Sequence, residues 1–203
     1  QPQQLFIAAD GPRKGNATDE VKCKEVREWL ISNIDWECEL RTLFRDENVG
    51  CGYGPSSAIS WFFEHVEMGV ILEDDCVPSL QFFDFAQEML ERYKNNEAVM
   101  AVNGSNFQEQ KWGNASYYFS MQNGPFCAWA TWKRAWNNFD FAMNGYTGFK
   151  LRRKLRYYGV TQSEKKWWIS IYKNLKNGKF GTSSWDYQYI FAIWKHKGLS
   201  IVP

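Results

Sequence analysis

The chain has 203 residues with 24 Lys and Arg against 23 Asp and Glu, a near-neutral balance that describes a globular domain large enough to bury a core and excludes intrinsic disorder. A net charge of +1 gives no field that would hold a polyanion by counterion release, which argues against nucleic acid as the main partner; the basic residues concentrate only locally, at 150 to 156 and 165 to 179. Apolar residues make up 44% and aromatics 18%, more apolar area than folding alone requires, so part of the aromatic surface is expected to bind a ligand.

No stretch approaches the roughly 18 to 20 apolar residues that span a bilayer, and the polar opening QPQQ is neither a signal nor a transit peptide. Cys23, Cys38, Cys51, Cys76 and Cys127 are odd in number, widely spaced and without a CxxC pair, which predicts reduced thiols rather than a disulfide framework or a zinc site. The expected setting is cytoplasmic, with membrane association by peripheral contact left open. Asn-x-Ser/Thr sequons at Asn16, Asn103 and Asn114 are then expected to be incidental.

In chain order, LFIAADG at 5 to 11 reads as an apolar strand that breaks into a turn. A helix from about Asp19 to Ile34 follows, with Cys23, Val26, Trp29, Leu30 and Ile34 as its apolar stripe. CELRTLFR at 38 to 45 is a second strand, NVGCGYGPSS at 48 to 57 a loop, and Ala58 to Val66 a short aromatic helix. GVILEDD at 69 to 75 is a third strand. A long amphipathic helix comes after a cap at Ser79, carrying Phe82, Phe83, Ala86, Met89, Leu90 and Tyr93 inward, and AVMAVNG at 98 to 104 is a fourth strand. Strands that alternate with helices predict an α/β fold with a mostly parallel sheet flanked by helices. Beyond residue 105 the pattern turns aromatic and irregular, so we read one domain, 1–203, in two halves: 1–105 for the ligand and 106–203 as a cap.

Ile71-Leu72-Glu73-Asp74-Asp75 carries the most chemistry, because it delivers adjacent carboxylates to the carboxyl end of a strand, where ligands of open α/β sheets bind. Such carboxylates repel one another unless a cation is shared, and hard ions such as Mg²⁺ or Mn²⁺ take oxygen ligands while keeping positions for phosphates. A turn with solvated charge is the plainer alternative. Asp10-Gly11-Pro12 reads by itself as an ordinary turn, in which a glycine allows what a side chain would block. Asp186 is either a general base or, with Ser183, half of a capping box. His65 and His196 have no triad motif around them. The glycines at 48 to 54 lack the Lys and Ser/Thr of a P-loop, and Ser56 and Ser57 behind them read as loop polar groups.

ADGPR at 9 to 13, LFRDENVG at 43 to 50, ILEDDCVPS at 71 to 79, WATWKRAW at 129 to 136 and WDYQ at 185 to 188 together resemble the GT-A nucleotide-sugar glycosyltransferases. The likeness is to a bacterial group labelled haemolytic protein HlpA-like and, more distantly, to N-acetylglucosaminyltransferase I. It implies a GT-A, Rossmann-like sheet and a metal-dependent, inverting transfer of a sugar from a UDP- or GDP-sugar to a glycan or glycolipid hydroxyl in polysaccharide biosynthesis. By the same resemblance Asp75 would bind Mn²⁺ or Mg²⁺, with Glu73 and Asp74 on the ribose and donor sugar. Asp10 and Gly11 would meet the nucleotide base at a strand end adjoining that of Asp75. Arg13 would lie near the donor, Arg45 near a phosphate or Asp10, and Asp186 would be the catalytic base. Trp129, Trp132 and Trp185 would line the acceptor side, where tryptophan faces stack on sugars. Relatives of this kind begin with a strand and helix before ADG and continue past residue 203, so such segments are expected outside this chain. A noncatalytic carbohydrate-binding module and a sugar nucleotidyltransferase are the rival readings.

Overall fold

The computed structural model describes residues 1–106, 114–122, 124, 127–178 and 184–203. The chain forms two compact units, one built on Gln1–Phe62 and joined by Ser184 and Trp185, the other containing the remaining described residues. The division falls at residue 62, not near 105, because the fourth expected strand pairs within the second unit.

The first unit is a βαβα run. Strand β1 (Gln4–Ala9) pairs in parallel with β2 (Glu39–Phe44), in register from Gln4 opposite Glu39 to Ala9 opposite Phe44. Helix α1 (Ala17–Ser32) makes the crossover that parallel neighbours require. The Asn16 side chain starts it by accepting from the Thr18 and Asp19 N–H groups. The expected stripe of α1 is met in part: Cys23, Leu30 and Ile34 are half-buried, together with Asp19 and Arg27, but Val26 and Trp29 are 53% and 63% exposed. Arg27 belongs there because its Nη2 donates to the carbonyls of Asp10 and Arg45, tying together the chain just beyond β1 and β2.

Helix α2 (Gly50–His65) overturns the expected loop at 48 to 57. Its glycines and Pro55 are turn signals, yet Asp10 supplies a cap from 40 residues away by accepting from the N–H groups of Val49 and Gly50 at 3.0 and 3.1 Å. Pro55, the sixth residue of the helix, lies inside it and has no N–H with which to close the helical bond to the Cys51 carbonyl. Gly52, Ser56 and Ile59 form its buried stripe, and Phe6 of β1 packs edge-on against Trp61 and Phe62.

The second unit holds a five-stranded sheet of order β3-β6-β4-β7-β5, made of β3 (Met68–Leu72), β4 (Val99–Asn103), β5 (Tyr118–Ser120), β6 (Ala128–Trp132) and β7 (Leu199–Val202). The expectation of a mostly parallel sheet is met only in part. β3, β4 and β7 run in one direction, while β6 lies antiparallel between β3 and β4, and β5 lies antiparallel to β7. An antiparallel strand needs no helical crossover, so β6 enters the slot that the crossover helix α3 (Leu80–Tyr93) leaves between β3 and β4. The fold among the described residues is therefore α/β with mixed, partly parallel sheets.

The core of this unit lies on β4 and β6, whose residues are all buried. Phe82, Ala86, Met89 and Leu90 of α3 are buried, as are Gln188 to Trp194 of α7 (Asp186–Lys195). Several of its buried polar groups have specific partners. Thr131 Oγ1 and Tyr189 OH both donate to the Met100 carbonyl, and Trp132 Nε1 donates to that of Leu90. After β6 come α4 (Lys133–Trp136), α5 (Gly148–Tyr157) and α6 (Gln162–Lys176). Among the described residues no helix is long and apolar enough to cross a membrane.

Candidate functional site

The second unit builds an acidic edge on its sheet. β3 ends at Leu72, so Glu73, Asp74 and Asp75 fall just past its carboxyl end in a turn closed by the Cys76 N–H on the Glu73 carbonyl, 3.1 Å away. Pairing places Leu72 opposite Ala128 and Asn103 opposite Trp129, so Glu73, Asn103 and Cys127 share one edge. Helix α7 reverses into β7 through residues 196–198, with the Gly198 N–H on the Ile193 carbonyl. That reversal makes α7 run against β7 and brings Asp186, its first residue, back to the carboxyl edge.

Asp186 therefore acts on Glu73 despite 112 intervening residues. Burial pushes the Glu73 carboxyl above its ordinary range, and the charges of Asp75, Asp186 and Asp74 push in the same direction. One N–H, that of Cys127, opposes them by donating to Glu73. Cys127 sits at φ 59°, a left-handed conformation costly for a residue with a β-carbon. Its thiol also lies against that of Cys76, which donates to Asp75 Oδ1 at 3.3 Å and is pushed up to about 12 by burial and these neighbours.

Asn103 was not singled out by the sequence reading except as a sequon. It is 3% exposed and its Oδ1 has no hydrogen-bond partner, leaving an unsatisfied acceptor on the same edge as the carboxylates. The strand-ending Asn-Gly pair was the available signal. Among the described residues, no group of three or more His, Cys, Asp or Glu side chains is arranged to enclose a metal ion. Glu73, Asp74 and Asp75 offer carboxylate oxygens, the donor type that hard divalent cations take.

The remaining donor residues gather beyond β1 and β2 in the first unit, and each already has a partner. Asp10 caps α2 and also accepts from the Gly11 N–H. Gly11 is required by the chain itself: a β-carbon there would lie 2.5 Å from the Glu47 backbone and 2.7 Å from the Arg45 carbonyl. Arg13 forms a two-pronged pair with Asp19 at 2.6 and 2.9 Å, and its hydrogen bonds hold the Asp19 carboxyl near 2. Arg45 Nη2 donates to Ser57 Oγ at 2.7 Å.

The acceptor-side expectation is corrected. Trp129, Trp132 and Trp185 are 0%, 2% and 5% exposed, and buried indoles present no face to a sugar. Trp129 instead packs with Trp136 and Tyr189, while Trp132 lies under the Arg134 guanidinium. Apolar residues open to solvent beside the acidic turn include Val77 and Leu80, 97% and 80% exposed. Ser183, the other half of the capping-box alternative for Asp186, lies outside the described residues. Comparison with protein families, curated proteins and solved structures finds no match for this chain.

Proposed function

We propose that the chain is a metal-dependent, inverting glycosyltransferase of the GT-A class, moving a sugar from a nucleotide-diphosphate donor to a glycan or glycolipid hydroxyl. The observation that carries this reading is the convergence of Asp186 with Glu73 on one sheet edge, which gives both a strand-end acid group and a separate carboxylate. The motif resemblance supports the choice of reaction. Asp75 would hold Mn²⁺ or Mg²⁺, which when bound neutralises charge on the departing diphosphate.

Asp186 takes the proton of the acceptor hydroxyl as the new bond forms. It stands in the first turn of α7. Glu73, whose carboxyl is pushed up by burial and then by its acidic neighbours, lies on the same edge within reach of a bound sugar's hydroxyls. Val77 and Leu80 offer the acceptor an apolar surface in place of the buried tryptophans.

Incubation with a panel of nucleotide sugars and Mn²⁺ tests the assignment. Slow release of nucleoside diphosphate that stops on chelation is the expected result. Pyrophosphate exchange would reassign the chain to nucleotidyl transfer, and sugar binding with neither reaction would make it a binding module.

A further inference from the structure

The charge of the chain is far from evenly distributed. Residues 146–178 hold nine Lys and Arg against Glu164 alone, leaving 15 of the 24 basic and 22 of the 23 acidic residues elsewhere. This segment contains α5, α6 and their connection. On α5, Leu151 and Leu155 are buried and fix which face turns inward. The opposite face carries Phe149, Arg152, Arg153, Arg156 and Tyr157, at the i, i+3, i+4, i+7 and i+8 spacing of a single helical stripe.

Two features of that stripe are unusual for a solvated helix. Its end residues are large aromatics left in water, with Phe149 74% and Tyr157 75% exposed. Its three arginines face no carboxylate: none of them takes part in the ion pairs found among the described residues. Excess positive charge around α5 is also felt by Lys154, whose ammonium is pushed down by burial and then by Lys197 and Arg153. The next helix adds Trp167, 48% exposed, and Lys166 beside it.

We propose that the outward stripe of α5 docks the protein on an anionic lipid bilayer, with Phe149 and Tyr157 entering the headgroup region and Arg152, Arg153 and Arg156 meeting lipid phosphates. A basic helix with exposed aromatic side chains is the composition that lies in a membrane interface. The contact suits a plane better than a strand of nucleic acid. At ten residues α5 is about 15 Å long, and its stripe is the convex side of one helix rather than a groove that tracks a phosphate backbone. A long polyanion would also run beyond it onto a chain whose remaining charge is negative. Docking stands apart from the transferase chemistry, because vesicle binding is measured without substrate.

Co-sedimentation with vesicles of phosphatidylcholine and phosphatidylglycerol at a 7:3 ratio, against pure phosphatidylcholine, tests the proposal at about 0.1 M salt. The protein should bind the anionic vesicles, and raising salt to about 0.5 M should release it. Replacing Arg152, Arg153 and Arg156 together by Gln should lower the partition by about 100-fold. Phe149→Ser with Tyr157→Ser should lower it while leaving the charge intact, and both variants should melt as the wild type does because none of these side chains is buried. Equal binding to neutral vesicles, retention by the arginine variant, or binding to a single-stranded oligonucleotide in place of vesicles would overturn it.

Discussion

At the scale of single residues, the account turns on what each carboxylate is doing. Asp10 accepts from three backbone N–H groups and starts α2, so Asp10→Ala should cost about 1 to 2 kcal/mol in a urea titration and Asp10→Asn less. An unchanged denaturation midpoint in the Ala variant would show that the cap is dispensable. Glu73 is the opposite case. Its folded-state pKa lies above the ordinary 4.5, so its contribution to stability is fully present below the unfolded value and is lost as pH rises through the raised folded value. Glu73→Gln should therefore raise the melting temperature at pH 7 and leave it unchanged near pH 4. The gain is held to about 1 kcal/mol or less because the group is partly exposed and screened. A loss of stability at pH 7 would mean that its charge is compensated after all.

Asp186 separates catalysis from capping. As a base, Asp186→Asn should lower turnover by about 10²- to 10⁴-fold with donor binding and melting temperature close to the wild type. As a cap alone it would lose about 0.5 to 2 kcal/mol of stability and keep its rate. Asp19 tests the first unit in the same spirit: its depressed pKa makes its contribution present above the unfolded value and lost as pH falls through about 2. An NMR titration of the side chain should find that low midpoint, and Arg13→Ala should return it to the ordinary carboxylate range.

At the scale of elements, much of the fold was legible in the sequence where the signal was local. Periodicity placed β1, β2, β3, β4 and α3 because apolar residues recur with the geometry of the element that buries them. What it missed depends on partners distant in the chain. The glycines and Pro55 of α2 read as a loop, and only the Asp10 carboxylate, brought in by the turn after β1, makes that start helical. The stripe of α1 holds at Cys23, Leu30 and Ile34 but takes in Arg27, polar by type, in place of Val26 and Trp29, because two strand-end carbonyls draw it inward. The place of β6 between β3 and β4 is a property of pairing, which no window of residues contains. Gly11 illustrates how tightly the loop beyond β1 is set: Gly11→Ala should cost about 1 to 3 kcal/mol, since the methyl group would overlap Glu47 and the backbone has to move. A wild-type melting curve for that variant would contradict the packing described here.

At the scale of the molecule, the acidic edge was partly legible too. The EDD turn and Asp186 were readable as strand-end and helix-start carboxylates, but their meeting was not, because it depends on α7 doubling back into β7. The tryptophans show the reverse failure. The resemblance put Trp129, Trp132 and Trp185 on the acceptor side, whereas they are buried, since a large indole stabilises most by leaving water. The measurement that bears most directly on the proposed site is calorimetric titration of a nucleoside diphosphate into the wild type and the Asp75→Ala variant, with Mn²⁺ and with chelator. Binding that needs Mn²⁺ in the wild type and disappears in a folded Asp75→Ala protein is the predicted result. Binding indifferent to chelator, or undiminished without the Asp75 carboxylate, would contradict the assignment of the β3 edge as a cation and diphosphate site.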